Sequence, residues 1–136
     1  MKVFVDASAL VPFALERDQW ALPLRRALRA LRELGQPELI TANWTYYEAL
    51  ALCRRSGMHT VSKLRRMVDS EVAIVPVAGE DEAKALRRIL SRDDKTASVI
   101  DHANLLVALR QGCAAILSFD DDFLPIAQGT GVRVLR

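Results

Sequence analysis

A chain of 136 residues, 51% apolar and 26% charged, is about the size of one domain and can bury roughly two thirds of its unfolded surface. That composition excludes a disordered or fibrous protein, and no run approaches the ~18 apolar residues of a membrane span. With a net charge of only +2, Lys2, and an acid already at Asp6, the N-terminal stretch lacks the character of a secretory signal, so a cytoplasmic location is expected. Cys53 and Cys113 have no CxxC or Cys/His neighbourhood and are expected as reduced structural thiols, not as a disulfide or zinc site.

In chain order, Lys2-Val3-Phe4-Val5 reads as a buried strand ending in Asp6. Ser8 can cap a short helix reaching Leu15, with Pro12 near enough its start to be tolerated. An amphipathic helix over 19–34 stops at Gly35 and Pro37. Glu38-Leu39-Ile40-Thr41 is a second strand feeding a helix over 45–55, which Gly57 breaks. A helix over 60–69 precedes a β-branched third strand over 72–77, closed by proline. Helices near 80–90 and 98–111 follow, and Gly112 ends the second of them. Ala115 to Leu117 makes a fourth strand, a short helix reaches Ala127, and Val132-Arg133-Val134-Leu135 is a fifth strand. Apolar strands separated by helices pair in parallel through right-handed crossovers, which predicts a three-layer α/β/α fold with a central parallel sheet of four to five strands. Without a linker, repeat or low-complexity stretch, residues 1–136 read as a single domain.

In open α/β sheets the carboxyl edge is where ligands bind, so Asp6 and Asp120, each following a strand, are aimed at one place. Each acid also has a plainer role. Asp6 can cap the first helix, Asp101 can favour its helix start through the macrodipole, and Asp120, Asp121 and Asp122 can cap the last helix, although one cap requires one acid. Glu48 has Trp44, Tyr47, Ala51 and Leu52 as helical neighbours, which predicts apolar surroundings. Two carboxylates ~4 Å apart repel by about 4 kcal/mol at an effective dielectric of 20. Either their pKa values rise or a cation sits between them. An all-oxygen donor set with no His or Cys placed to join it selects Mg²⁺ or Mn²⁺. Ser8, Asn104 and Ser118 can orient the acids or hold the ion's waters. Such an ion serves phosphodiester hydrolysis, with nucleic acid as the natural substrate.

Arginines at 25, 26, 29 and 32, at 54 and 55, and at 65 and 66 form basic clusters. Arg25, Arg29, Arg54 and Arg55 are candidates for gripping a phosphate backbone; the alternative is a solvated helix face near Glu33 and Glu38. Trp20 and Trp44 can stack on unpaired bases or pack in the core. His102, next to Asp101 on a helix, points about 100° away from the acidic face, and neither it nor His59 is expected to bind metal.

Four segments in order resemble PIN-domain proteins: Val3-Phe4-Val5-Asp6-Ala7-Ser8-Ala9-Leu10, Tyr47-Glu48-Ala49-Leu50, Asp101 opening an Ala/Leu-rich helix, and Ser118-Phe119-Asp120-Asp121-Asp122-Phe123. The resemblance covers the chain, whose size is similar to that of VapC-type toxins of bacterial and archaeal toxin–antitoxin pairs. It implies Asp6, Glu48, Asp101 and Asp120 as the catalytic, metal-binding acids and Asp122 as an auxiliary ligand. It further implies a metal-dependent endoribonuclease, a homodimer, structured RNA targets and a cognate antitoxin that covers the site. The family's last motif usually opens with Thr where Ser118 stands, which retains a hydroxyl. Two rival readings remain: a PIN-like RNA-binding or assembly module without catalysis, and a haloacid-dehalogenase-type phosphatase. The phosphatase chemistry expects a second Asp two residues after the first, where this chain has Ser8.

Overall fold

The computed structural model describes residues 1–92 and 96–136. Its first strand, β1 (Lys2–Val5), occupies the middle of a five-stranded sheet, between β2 (Glu38–Ala42) and β4 (Ala115–Leu117), with β3 (Val72–Val75) and β5 (Arg133–Leu135) at the edges. All four pairings are parallel, and β1 is in register with both neighbours through Val3↔Leu39 and Val3↔Ala115. Parallel strands need crossovers, and the helices supply them. α1 (Ala7–Ala14) and α2 (Ala21–Leu34) link β1 to β2, and α3 (Asn43–Arg54) and α4 (Met58–Glu71) link β2 to β3. α5 (Gly79–Ser91) and α6 (Val99–Arg110) lead to β4, and the short α7 (Phe123–Ala127) leads to β5.

Alternation along β1 divides the interior in two. Val3 and Val5 are fully buried against Leu10 of α1, Leu24 of α2, Ala49 of α3 and Leu64 of α4. Phe4 points the other way and packs with Leu105 of α6 and Phe123 of α7. Both faces of the sheet are therefore covered, which is why its central strands are apolar without a polar stripe. The expected three-layer α/β/α fold is observed, with five strands.

The chain steps outward from β1 through β2 to β3, then returns to add β4 and β5 on the other side. The reversal leaves a switch point between the carboxyl ends of β1 and β4, the place where loops diverge and a crevice opens. Asp6 and Ser118 are the first residues past these two ends.

Some element boundaries differ from expectation for identifiable reasons. Asp6, not Ser8, caps α1, accepting the Ser8 N–H at 3.4 Å, and Pro12 lies inside that helix beyond its first turn. α2 starts at Ala21, because Asp18 Oδ1 accepts the Trp20 N–H at 2.8 Å and holds a turn before it. α3 begins directly at Asn43, whose side chain accepts the N–H groups of Trp44 and Val77. β3 ends at Val75, ahead of Pro76. α6 ends as expected at Gly112, which takes φ 71° while Gly112 N–H bonds Leu109 O and Cys113 N–H bonds Ala108 O, a Schellman closure that turns the chain straight into β4. Cys53 and Cys113 are buried free thiols. No described helix is long and apolar enough to cross a membrane.

Candidate metal centre

Asp6 is 5% exposed, and its carboxylate is surrounded by donors. Oδ2 accepts the hydroxyls of Ser8 at 2.8 Å and Ser118 at 3.0 Å, and Oδ1 accepts the Asn104 amide at 3.3 Å. Burial pushes its pKa above the ordinary value, opposed by the Ser8 and Ser118 hydroxyls and by the Ala7 and Ser8 N–H groups. With their protons given to Asp6, the two hydroxyls accept in turn: Ser8 Oγ takes the Phe119 N–H at 2.9 Å and Ser118 Oγ the Asp120 N–H at 3.1 Å. The serines therefore bind Asp6 to the segment after β4. Asn104 is oriented by Thr45, whose hydroxyl donates to its Oδ1 while its Nδ2 faces Asp6.

Asp101 lies in the first turn of α6. It forms a reciprocal cap with Ser98, its Oδ2 accepting the Ser98 N–H at 2.9 Å and its own N–H donating to Ser98 Oγ at 3.1 Å. The expected helix-start role is thus real, but it occupies one oxygen. Burial, followed by the Asp6 and Asp120 carboxylates, outweighs the cap and pushes Asp101 up to about 6. Asp120 and Asp122 follow Ser118, with Asp120 Oδ1 accepting the Asp122 N–H at 2.9 Å. That turn aims both carboxylates at Asp101. Among the described residues, Asp101, Asp120 and Asp122 each place an oxygen within 4.8 Å of the others.

Glu48 is exposed, contrary to the apolar surroundings its neighbours suggested. The buried face of α3 is formed by Thr45, Tyr46, Ala49 and Cys53, and Glu48, like Tyr47 and Ala51, lies off it. Its carboxyl is still raised in pKa, first by desolvation and then by Asp6 and Asp120, so it flanks the same acidic locus. Geometry groups Asp122 with Asp101 and Asp120, Asp6 is fixed by hydroxyl and amide donors near enough to raise the pKa of Asp101 and Glu48, and Glu48 is the exposed member.

Three ionised carboxylates with oxygens no more than 4.8 Å apart repel by at least roughly 3 kcal/mol per pair at an effective dielectric near 20. The donors are all oxygen, which fits a hard divalent cation. Histidine supplies nothing here: His59 is exposed on α4, and His102 Nδ1 accepts from Arg88 Nε at 3.1 Å on the α5 side. The residues present fit a hard divalent cation, with Asp101, Asp120 and Asp122 able to reach it together.

The basic candidates are distributed unevenly. Arg25 and Arg29 are exposed on α2 and line a groove of about 610 Å³ between α1, α2 and α4. Arg54 and Arg55 stand at the far end of α3, about 16 Å along its axis from Asn43 at the sheet edge. Trp20 stacks flat on Phe119, with centroids 5.0 Å apart, so its packing role is the observed one. Thr45 was missed as a candidate, because a threonine on an apolar helix face gives no signal of its partner.

The PIN domain family model matches residues 3–128. No curated protein sequence matches the chain. Among solved structures, VapC20 of Mycobacterium tuberculosis, a sarcin–ricin loop cleaving toxin, aligns over 96% of this chain and 98% of its own, with TM-score 0.77 and 23% identity. PAE2754 from Pyrobaculum aerophilum aligns over 98% of this chain and 92% of its own, with TM-score 0.61 and 22% identity. At these identities the structural likeness carries the fold alone, whereas the family match spans nearly the whole chain: the protein belongs to the PIN domain family.

Proposed function

We propose that residues 1–136 act as one catalytic unit, a Mg²⁺- or Mn²⁺-dependent endoribonuclease working in the cytoplasm as the toxin of a toxin–antitoxin pair. The observation that carries this reading is the meeting of Asp101, Asp120 and Asp122 in front of the buried Asp6, at the switch point of the sheet. A bound divalent ion would stabilise the negative charge that develops at phosphorus during hydrolysis. Asp6, Glu48, Asp101 and Asp120 would hold it with Asp122 as an auxiliary, and Ser8, Ser118 and Asn104 would orient Asp6. Arg25 and Arg29 guide the phosphate backbone, and Arg54 and Arg55 extend the basic surface along α3.

The groove between α1, α2 and α4 supports the antitoxin part of the proposal. Phe13, Leu24 and Leu28 are buried at its floor, and of the charged residues around it Arg32 pairs with Glu71 and Lys63 with Glu16, which leaves Arg25 and Arg29 beside Glu33 to meet an acidic segment. The same arginines then serve either the antitoxin or the RNA, so the two compete. A homodimer is proposed on the family likeness.

The test is cleavage of transfer RNA, a sarcin–ricin stem-loop fragment and single-stranded DNA by wild type, Asp6→Asn and Asp101→Asn, with Mg²⁺, Mn²⁺ or EDTA. RNA cleavage that requires the metal and falls at least about 100-fold in both folded variants is expected. Equal activity in either variant sinks the site. Metal-independent RNA binding without turnover points to a non-catalytic module instead.

A further inference from the structure

The segment that carries Asp120 and Asp122 has no ladder of its own, and residues outside the acidic group hold it. Phe119, 5% exposed, is gripped at three points. Its N–H donates to Ser8 Oγ at 2.9 Å, its ring lies parallel to Trp20 within 1° at 5.0 Å, and its carbonyl accepts from Arg136 Nη2 at 3.3 Å. The same guanidinium nitrogen meets Asp121 Oδ1 at 2.6 Å.

We propose that Trp20 and Arg136 are positioning residues for the metal centre, fixing through Phe119 the segment that bears Asp120 and Asp122. The proposal rests on reading the acids as a metal site. Trp20 is itself fixed, since Asp18 accepts its N–H in the turn before α2, so the stacked ring gives Phe119 a rigid plane to lie on. Arg136 does two things. It anchors the Phe119 carbonyl, and it draws the Asp121 carboxylate outward, where that side chain is 78% exposed. Three successive acids are thereby sorted, two toward Asp101 and one away from it. Without the guanidinium, Asp121 is a further negative charge free to swing toward a group that already repels itself.

Residues behind the ligands set how well ligands are arranged, and losing one typically weakens metal binding ten- to a hundredfold. The experiment uses the intact protein with Trp20→Ala, Arg136→Ala and the conservative Trp20→Phe and Arg136→Lys. Amide hydrogen exchange is followed at Phe119, Asp120 and Asp122 in EDTA, and Mn²⁺ affinity by calorimetry. Roughly tenfold faster exchange at these amides and about tenfold weaker Mn²⁺ binding are expected in both alanine variants, with most of each effect rescued by Phe and Lys. Unchanged exchange in folded Arg136→Ala overturns the proposal, even if Trp20→Ala fails to fold. If wild type binds no Mn²⁺ while exchange still accelerates, the metal reading falls and the clamp on Phe119 stands. Faster exchange with unchanged Mn²⁺ affinity overturns the positioning role.

Discussion

Asp101 is both a helix-start residue and a member of an acidic group, and the two roles pull its pKa in opposite directions. Burial and the neighbouring carboxylates win, leaving it at about 6 against an ordinary 3.8. A folded state that holds a proton more tightly than the unfolded chain is stabilised by protonation. That stabilisation is complete below the ordinary value and lost as pH rises through about 6. Asp6 and Glu48, also raised, act in the same direction. In EDTA, the melting temperature is therefore expected to carry a falling contribution between about pH 4 and about pH 6, which Asp101→Asn removes; identical wild-type and Asp101→Asn profiles over that range contradict it. Metal shows the complementary trend, because it competes with the same proton: Mn²⁺ affinity, read by calorimetry, rises by up to about tenfold per pH unit below 6 and levels off above. Asp101 was legible because apolar residues surround it in sequence. Glu48 was misjudged because helical neighbours do not reveal which face the sheet will cover. Thr45 was invisible because its contact with Asn104 spans 59 residues.

Among the elements, α5 and α6 pack together and are joined by the Asp81–Arg110 ion pair. Asp81, in the first turn of α5, accepts the Ala78 N–H at 2.9 Å and both Nε and Nη2 of Arg110, at 3.1 and 2.8 Å. Arg110 also donates to Pro76 O at 3.2 Å, so the end of β3, the start of α5 and the end of α6 meet at one guanidinium. Burial alone would raise the Asp81 pKa, but Arg110 and the Ala78 N–H more than reverse it and hold it below the ordinary value. Removing Arg110 leaves a carboxylate 4% exposed without its partner. Arg110→Ala is expected to cost about 2–3 kcal/mol in urea unfolding, toward the low end for buried pairs because the arginine is 35% exposed. Asp81→Asn combined with Arg110→Met should cost less than Arg110→Ala alone, since no buried charge is stranded. The elements themselves were largely readable, because period-two and helical apolar patterns are local properties. Their ends were less so: where α2 starts depends on Asp18 folding back on Trp20, and where α3 starts depends on Asn43 holding Val77, 34 residues away.

For the whole molecule, the proposed ion is a ligand of the folded state only. At a free concentration 100-fold above its Kd it adds about 2.7 kcal/mol, worth roughly 10 °C in melting temperature for a chain of this size. Mn²⁺ is expected to raise the wild-type melting temperature by that order and to have little effect on Asp101→Asn; equal shifts in both, measured by calorimetry, place the ion elsewhere. The parallel α/β/α architecture followed from alternating strands and helices, but the strand order β3-β2-β1-β4-β5 did not, since nothing local says on which side of β1 the fourth strand inserts. That insertion also sets when the acidic group is complete. Asp6 meets Ser118 across 112 positions of sequence, and the acids at 120 and 122 emerge from the ribosome long after those at 6 and 48. A growing chain therefore has no complete acidic group until β4 pairs with β1 and brings the acids at 120 and 122 to Asp101.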